Sequence, residues 1–210
     1  AYEIITSDWN SDVCSSDLLG RRAIDTDVDA IGKYLTDERV LVTGAGGSIF
    51  RYSPERLVMV DRDESALHAV QLSLDGRAML DSPNLVLGDL RTPGLIESLF
   101  AKSRPTIVFH AAALKHLTLT ERFPEEAFLT NVAVTQDLLR AAAASEVRRF
   151  INISTDKAAD PECVLGYSKR MAERLTSAVG RTVAEDRRFM SVRFGNMLDR
   201  KSTRLNSSHW

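Results

Sequence analysis

The stretch Arg39-Val40-Leu41-Val42-Thr43-Gly44-Ala45-Gly46-Gly47-Ser48-Ile49 decides the fold. A short apolar run reads as a buried strand. Glycines directly after it let the chain turn sharply and bring its backbone close to a bound group. Outward from this point the same alternation repeats. Leu57–Val60 is a second apolar run closed by Asp61, and Asn84–Leu87 is a third that leads into Gly88 and Asp89. Pro105–His110, Phe150–Thr155 and Phe189–Arg193 follow. Between them, helices are predicted over Glu64–Leu74, Pro93–Ala101, Pro124–Ser145 and Leu165–Val179, the last stopped by Gly180. Upstream, Ile24, Val28, Ile31 and Leu35 recur at helical spacing. Strands made of continuous apolar runs, alternating with helices, predict an α/β fold with a doubly wound parallel sheet.

Composition narrows the function classes. A chain of 210 residues, 44% hydrophobic, has enough apolar surface for one domain with a core. The formal net charge of -2 gives no global basic field, so nucleic acid is not an expected partner. The two cysteines, Cys14 and Cys163, stand far apart and outside any metal-ligand spacing; neither a metal site nor a disulfide framework is expected. No apolar run approaches ~18 residues and no signal-peptide pattern opens the chain, so a cytoplasmic protein without membrane contact is expected.

The glycine turn carries the first functional reading. Gly44, Gly46, Gly47, Ser48 and Ile49 are expected to cradle a pyrophosphate at the start of the next helix. Asp61, at the end of the second strand, suits a ribose hydroxyl, and Arg62 beside it suits a 2′-phosphate, which makes NADP or NAD the expected cofactor. The turn also departs from its pattern. Phe50 stands where a glycine is wanted, and only Gly44–Arg56 separate the first two strands. A parallel crossover needs roughly a dozen residues or more, and the turn consumes several of these. Ser53-Pro54 further disfavours a helix there. A shortened first crossover with a compromised helix is expected.

Two terminal strings read as the two strands of one translated sequencing adapter. Asp199–His209 matches it in one sense, and Asp8–Asp17 matches its reverse complement except at Asn10. The expected organisation is therefore a non-native tail at 1–18, an incomplete NAD(P)-binding domain at 19–198 without a complete C-terminal substrate domain, and a second non-native tail at 199–210.

Six further strings occur in order. They are Gly88-Asp89-Leu90-Arg91, Phe109-His110-Ala111-Ala112-Ala113-Leu114-Lys115-His116, Thr130-Asn131-Val132, Ser154-Thr155-Asp156-Lys157-Ala158-Ala159-Asp160-Pro161, Gly166-Tyr167-Ser168-Lys169 and Arg193-Phe194-Gly195-Asn196. Together they resemble the extended short-chain dehydrogenases with a Rossmann-type sheet. More narrowly, they resemble bacterial UDP-N-acetylglucosamine 4,6-dehydratases and related capsular polysaccharide biosynthesis proteins. Leu19-Gly20-Arg21-Arg22 resembles the join that follows the N-terminal membrane region of long members. The resemblance implies a UDP-sugar substrate and a homo-oligomer. It also implies a redox-neutral reaction: transient oxidation at C4 by bound NAD(P)+, loss of the C6 hydroxyl, and return of the hydride to C6.

The same resemblance implies roles for single residues. Thr155 is the hydrogen-bond donor to O4, Asp156 the acid, Lys157 the base, and Lys169 the lysine on the nicotinamide ribose. Asp89 and Leu90 flank adenine, and Ala111, Ala112 and Ala113 line the cofactor. Lys115, His116 and Asn196 are substrate contacts, although Lys115 and His116 read equally as a solvated loop. Asn131 is implied to support the active-site backbone, with a solvent-facing asparagine as the alternative. Acid and base roles call for a raised pKa at Asp156 and a lowered one at Lys157. The superfamily's tyrosine, four residues before the lysine, is Leu165 here. Leucine cannot pass a proton, and Tyr167 lies on another side of the helix. This argues against an ordinary alcohol dehydrogenase and leaves the dehydratase open. An epimerase or reductase relative, or an inactive segment with weak nucleotide binding, remains the alternative.

Overall fold

The computed structural model describes residues 34–44, 54–76 and 79–195. The predicted helix over Ile24–Leu35 lies almost wholly outside them. So do Gly46, Gly47, Ser48, Ile49 and Phe50 of the glycine turn, Asn196, and both adapter-like strings.

Six strands form one sheet. They are β1 (Arg39–Thr43), β2 (Arg56–Asp61), β3 (Leu85–Leu87), β4 (Ile107–His110), β5 (Arg149–Thr155) and β6 (Arg188–Phe194). Their order is β3-β2-β1-β4-β5-β6, and every pairing is parallel. The chain leaves β1 in one direction to make β2 and β3, then returns to the other side of β1 for β4. That reversal opens a crevice beyond the C-terminal ends of β1 and β4, the place where open α/β sheets bind ligands. The predicted doubly wound fold is therefore present. The short crossover does not prevent the β1–β2 ladder, which pairs Arg39 with Arg56 and Thr43 with Val60.

β1, β2 and β4 are apolar along most of their length because both faces are covered, whereas β6 at the sheet edge is largely exposed and carries Arg188, Ser191 and Arg193. Successive side chains alternate between faces, so Leu41 enters one core and Val40 and Val42 the other. On the first face, Leu41, Val58, Val60, Val108, Phe150 and Phe189 meet Ile96, Leu99 and Phe100 of α2 (Leu95–Ser103) and Val134, Leu138, Leu139 and Ala142 of α5 (Val134–Ala143). On the second, Val40, Val42, Met59 and Ile107 meet Leu67 and Val70 of α1 (Glu64–Asp75). Each fully buried Val, Leu or Phe contributes ~1.5–3 kcal/mol. At the sheet's opposite end, the buried Glu38 carboxylate takes two 2.7 Å bonds from Arg148 and one from the Thr106 hydroxyl, tying β1, β4 and β5.

Two local predictions need correction. A short helix, α3 (Leu117–Arg122), fills what reads as loop. The single predicted helix over Pro124–Ser145 consists of α4 (Pro124–Phe128), a π-helical stretch (Leu129–Ala133) and α5, which stops at Ala143. Single π turns inside a helix are frequent at functional sites, and this one brings Thr130 to the crevice. The last helix, α6 (Val164–Gly180), matches its prediction, and the Sγ of Cys163 accepts from the Gly166 amide at its start.

Gly44 closes β1 with φ +76°, and a Cβ there would stand 2.4 Å from the amide nitrogen of Ala112. Gly76, with φ +68°, has open space around it. Gly44→Ala therefore meets both backbone strain and a backbone clash, whereas Gly76→Ala meets strain alone. In urea unfolding, Gly76→Ala is expected to cost about 1 kcal/mol and Gly44→Ala at least about 1 kcal/mol more. Equal losses would mean that the close approach at the crevice floor carries no weight.

Candidate active site

The crevice is a cavity of about 410 Å³. Gly44, Asp61, Arg62, Asp89, Leu90, Ala111, Ala112, Ala113 and Lys115, all expected at the site, line it together with Thr130. The glycine and the three alanines keep side chains out of the floor. The Ala111 amide donates to the Thr43 carbonyl at 2.9 Å, and the Gly44 amide donates to Val60 at 2.9 Å, so the two loops are fixed to the sheet. The Thr130 hydroxyl is buried in the wall and has no partner among the described residues. A buried hydroxyl without a hydrogen bond is costly, and a polar ligand in this cavity would remove that cost. The residues present therefore fit a nucleotide, as far as the described part of the turn extends.

The rim is acidic and basic by turns. Asp61 Oδ1 accepts from the Asp63 amide at 3.0 Å, and Asp63 caps α1. Asp89 is gripped by Arg91, whose guanidinium, by hydrogen bonding, holds its carboxyl below the usual carboxylate range. Arg62, the expected 2′-phosphate partner, stands 3.8 Å from the same carboxylate and is half exposed. A 2′-phosphate there would meet Arg62 with the Asp89 charge nearby.

A polar column behind the cavity holds it in shape. His110, at the end of β4, is 1% exposed. Its Nδ1 lies 2.7 Å from the Thr43 hydroxyl and its Nε2 2.8 Å from the Thr135 hydroxyl. Thr135 donates its only proton to the Asn131 carbonyl at 2.8 Å. It must then accept from Nε2–H. Burial keeps the ring neutral, so that is its only proton and Nδ1 accepts from the Thr43 hydroxyl. Burial, reinforced by the charge of Lys169, pushes its pKa down to about 3. Asn131, in the π-helical stretch, is also buried. Its Oδ1 accepts from the Leu114 amide at 2.8 Å, and its Nδ2 donates to the Leu114 carbonyl at 3.1 Å and the Ser168 hydroxyl at 3.0 Å. The asparagine supports the backbone of the loop after β4, and the solvent-facing alternative is excluded. Neither the His110 column nor Ser168 is evident from sequence, where a histidine ending an apolar strand reads as core.

Thr155, Asp156, Lys157 and Lys169 gather at the C-terminal end of β5. Thr155 ends the strand, and Asp156 and Lys157 form a 3-10 turn with Ala158. The Thr155 hydroxyl donates to Asp156 Oδ1 at 2.8 Å, as does the Lys157 amide, and Lys157 Nζ lies 3.4 Å from the same oxygen. Asp156 is exposed, and its pKa is lowered, first by the Thr155 hydrogen bond and then by Lys157. This is opposite to the raised pKa expected of an acid, because carboxylates that accept hydrogen bonds in water stay ionised. Lys169 is 8% exposed and donates from Nζ to the Ile153 carbonyl at 2.9 Å. Leu165, one turn earlier on α6, is buried, while Tyr167 is exposed and off to the side. His116 serves as the residue before α3 and is exposed, so of the two predicted loop contacts only Lys115 lines the cavity.

Burial lowers the Lys169 pKa from its ordinary value to about 8, with Glu173 opposing the fall. The folded pKa lies below the unfolded value of 10.5, so the unfolded chain binds more protons between those limits. Stability is therefore expected to rise as pH increases from about 8 towards 10.5, relative to Lys169→Met, which has no such group. Unfolding free energies of both proteins at pH 7, 8, 9 and 10 check this. A pH-independent difference would show that Lys169 keeps an ordinary ionisation.

Residues 40–203 match the family model described as polysaccharide biosynthesis protein. The probable polysaccharide biosynthesis protein EpsC of Bacillus subtilis (strain 168) is 35% identical over 199 residues, 89% of this chain and 32% of that protein. The capsular polysaccharide biosynthesis protein CapD of Staphylococcus aureus is 34% identical, over 87% of this chain and 32% of its own. The chain thus spans about a third of the length of these relatives. A UDP-glucose 4-epimerase of Rickettsia bellii (strain OSU 85-389) is 33% identical over 77% of the chain. Among solved structures, Pen from Bacillus thuringiensis superposes with TM-score 0.66 at 30% identity, covering 78% of this chain and 52% of that one. A UDP-glucose-4-epimerase from Stenotrophomonas maltophila, solved with bound NAD and formylated UDP-arabinopyranose, gives TM-score 0.57 at 22% identity, covering 69% and 49%, and shares the fold. Among the described residues no helix is long and apolar enough to cross a membrane. With a six-stranded parallel sheet, a glycine-floored crevice and a family match over most of its length, the chain belongs to the polysaccharide biosynthesis protein family.

Proposed function

We propose that this chain is the NAD(P)-binding segment of a nucleotide-sugar 4,6-dehydratase that acts on a UDP-N-acetylglucosamine-type substrate for surface polysaccharide biosynthesis. One observation carries the reading. Thr155, Asp156 and Lys157 lead out of β5 beside the buried Lys169, while the position one turn before that lysine is the buried Leu165. A leucine moves no proton, so acid and base work falls to the Asp156-Lys157 turn. That division suits elimination of water from a sugar. It suits an epimerase less, despite the Rickettsia relatives of that name.

Bound NAD(P)+ would supply a reversible hydride acceptor at C4. The chain's own residues would do the rest. Thr155 would hydrogen-bond O4, and the Asp156 carboxylate, ionised in the free protein, would take the O4 proton as hydride leaves C4. Lys157 would take the C5 proton, and Asp156 would give its proton to the departing C6 hydroxyl. Lys169 would hold the ribose side of the crevice, and Asp61 and Arg62 the adenosine end. Thr155 and Asp156 are coupled in this scheme. The bond from the Thr155 hydroxyl is the largest cause of the low Asp156 pKa. A substrate O4 that accepts this hydrogen bond instead would remove it and move Asp156 towards the protonated form that an acid needs. The oligomer implied by the family resemblance, and a cytoplasmic location for this segment, belong to the same proposal.

Two experiments test it. Calorimetry with NAD+ and NADP+, together with NMR of UDP-N-acetylglucosamine incubated with the chain, should show cofactor binding and a 4-keto-6-deoxy product without net reduced cofactor. Binding without product would reduce the chain to a nucleotide-binding segment, and absence of binding would overturn the reading. Where product forms, Asp156→Asn is expected to slow it by about 10²–10⁴-fold. In the free protein, Thr155→Val should raise the Asp156 pKa in carboxyl ¹³C titrations. An unchanged value would sever the proposed coupling.

A further inference from the structure

Glu173 has no role in the scheme above, yet its carboxylate is bonded to three separate side chains beside the site. It lies on α6 one helical turn after Lys169, and its side chain is 11% exposed. Oε1 accepts from the Ser154 hydroxyl at 2.7 Å. Arg193 adds a fork, Nε to Oε1 and Nη2 to Oε2, each at 2.7 Å. Arg170 stands 3.8 Å from Oε2. One carboxylate therefore joins the middle of α6 to the last turn of two strands. Its strand contacts bracket the chemistry. Ser154 sits between Thr155, which ends β5, and Ile153, whose carbonyl receives the Lys169 ammonium at 2.9 Å. A slip of α6 along β5 would break the Ser154–Glu173 and Ile153–Lys169 bonds together.

Other charges around the lysine do not substitute for this one. His110 on β4 is neutral and buried. The Asp156 carboxylate is exposed and already shared between Thr155 and Lys157 on the 3-10 turn. Glu121 of α3 accepts from the Val164 amide. Arg170 on α6 and Arg193 on β6 are cations. Among the charged groups described here, Glu173 is the anion whose field supports the Lys169 charge.

We propose that Glu173 is the positioning residue of this site: it clamps α6 to the ends of β5 and β6 and supplies the charge that keeps the Lys169 ammonium seated at the Ile153 carbonyl. The proposal rests on reading Lys169 as the cofactor-side lysine. Its geometry stands apart from that reading, and so does its test.

The experiment follows the Lys169 ammonium by ¹H–¹³C NMR in the full chain with ¹³C-labelled lysine, the resonance being assigned with Lys169→Arg. Glu173→Gln removes the anion and should move the Lys169 midpoint down by about one pH unit. Arg193→Gln removes a cation from the same cluster and should move it up. A residue that is merely structural would loosen the site in both variants and carry both midpoints towards that of an ordinary exposed lysine. An unchanged or raised midpoint in Glu173→Gln with native spectral dispersion overturns the proposal. If Glu173→Gln does not fold, Arg193→Gln is read beside Arg193→Lys, which keeps the cation and loses the fork. A raised midpoint is expected in the first and a wild-type midpoint in the second. An unchanged or lowered midpoint in the first, or an equal rise in both, overturns the proposal. Failure of wild-type chain to bind NAD+ or NADP+ would count against the cofactor reading only, because the titrations need no cofactor.

Discussion

The shape of the crevice depends on one neutral imidazole held between two threonines. His110 links β1 through Thr43 and the π-helical stretch through Thr135, and each ring nitrogen has a single assigned partner. An imidazole that carries a charge would force Thr43 to turn from donor to acceptor, and burial disfavours that charge. The ring is therefore a rigid strut at the point where strand order reverses. Its partners lead directly into the crevice: Gly44 follows Thr43, Ala111 and Ala112 follow His110, and Thr135 donates to the carbonyl of Asn131, which grips Leu114.

Two charge systems then serve different ends of the sheet. At the N-terminal end, Glu38 with Arg148 and Thr106 closes a purely structural tie. At the C-terminal end, the charges surround the two groups to which the proposed reaction gives a change of state. Asp156 is open to water and tuned by a neighbour that a substrate could recruit. Lys169 is dry and moderated by a carboxylate one turn away. With the carboxylate wet and the lysine buried, the two ionisations have different causes, a neighbour's hydrogen bond for one and burial for the other.

The sequence reveals the centre of the sheet well, because covering both faces makes β1, β2 and β4 nearly unbroken apolar runs. Val40–Val42 and Leu57–Val60 need no context to be read. The site is legible in part. Thr155, Asp156, Lys157 and Lys169 occur in strings specific enough to be recognised, and the structure brings them together. What escapes is anything whose meaning depends on a distant partner. Glu173 reads as one more charge on an amphipathic helix until Ser154 and Arg193 are seen around it. His110 reads as core until Thr135 arrives from another element. The six-residue helix after His116 is too short to show a period. The acid role expected of Asp156 leads to the wrong ionisation in the free protein, since sequence does not reveal that its neighbour's hydroxyl turns back on it.

The π-helical stretch has a consequence for how this fold tolerates changes in length. Leu129–Ala133 holds one residue more per turn than the α-helices that flank it. Deleting one residue there would let the chain close into an ordinary α-helix. The wide turn has already absorbed that residue, so everything downstream would keep nearly its direction. Thr135 would stay near His110, and Leu138, Leu139 and Ala142 would stay in the first core. What the deletion would remove is the bulge itself, and with it the places of Thr130 at the crevice wall and Asn131 against Leu114. The packing of this half of the molecule is thus indifferent to the extra residue, and only the crevice makes use of it.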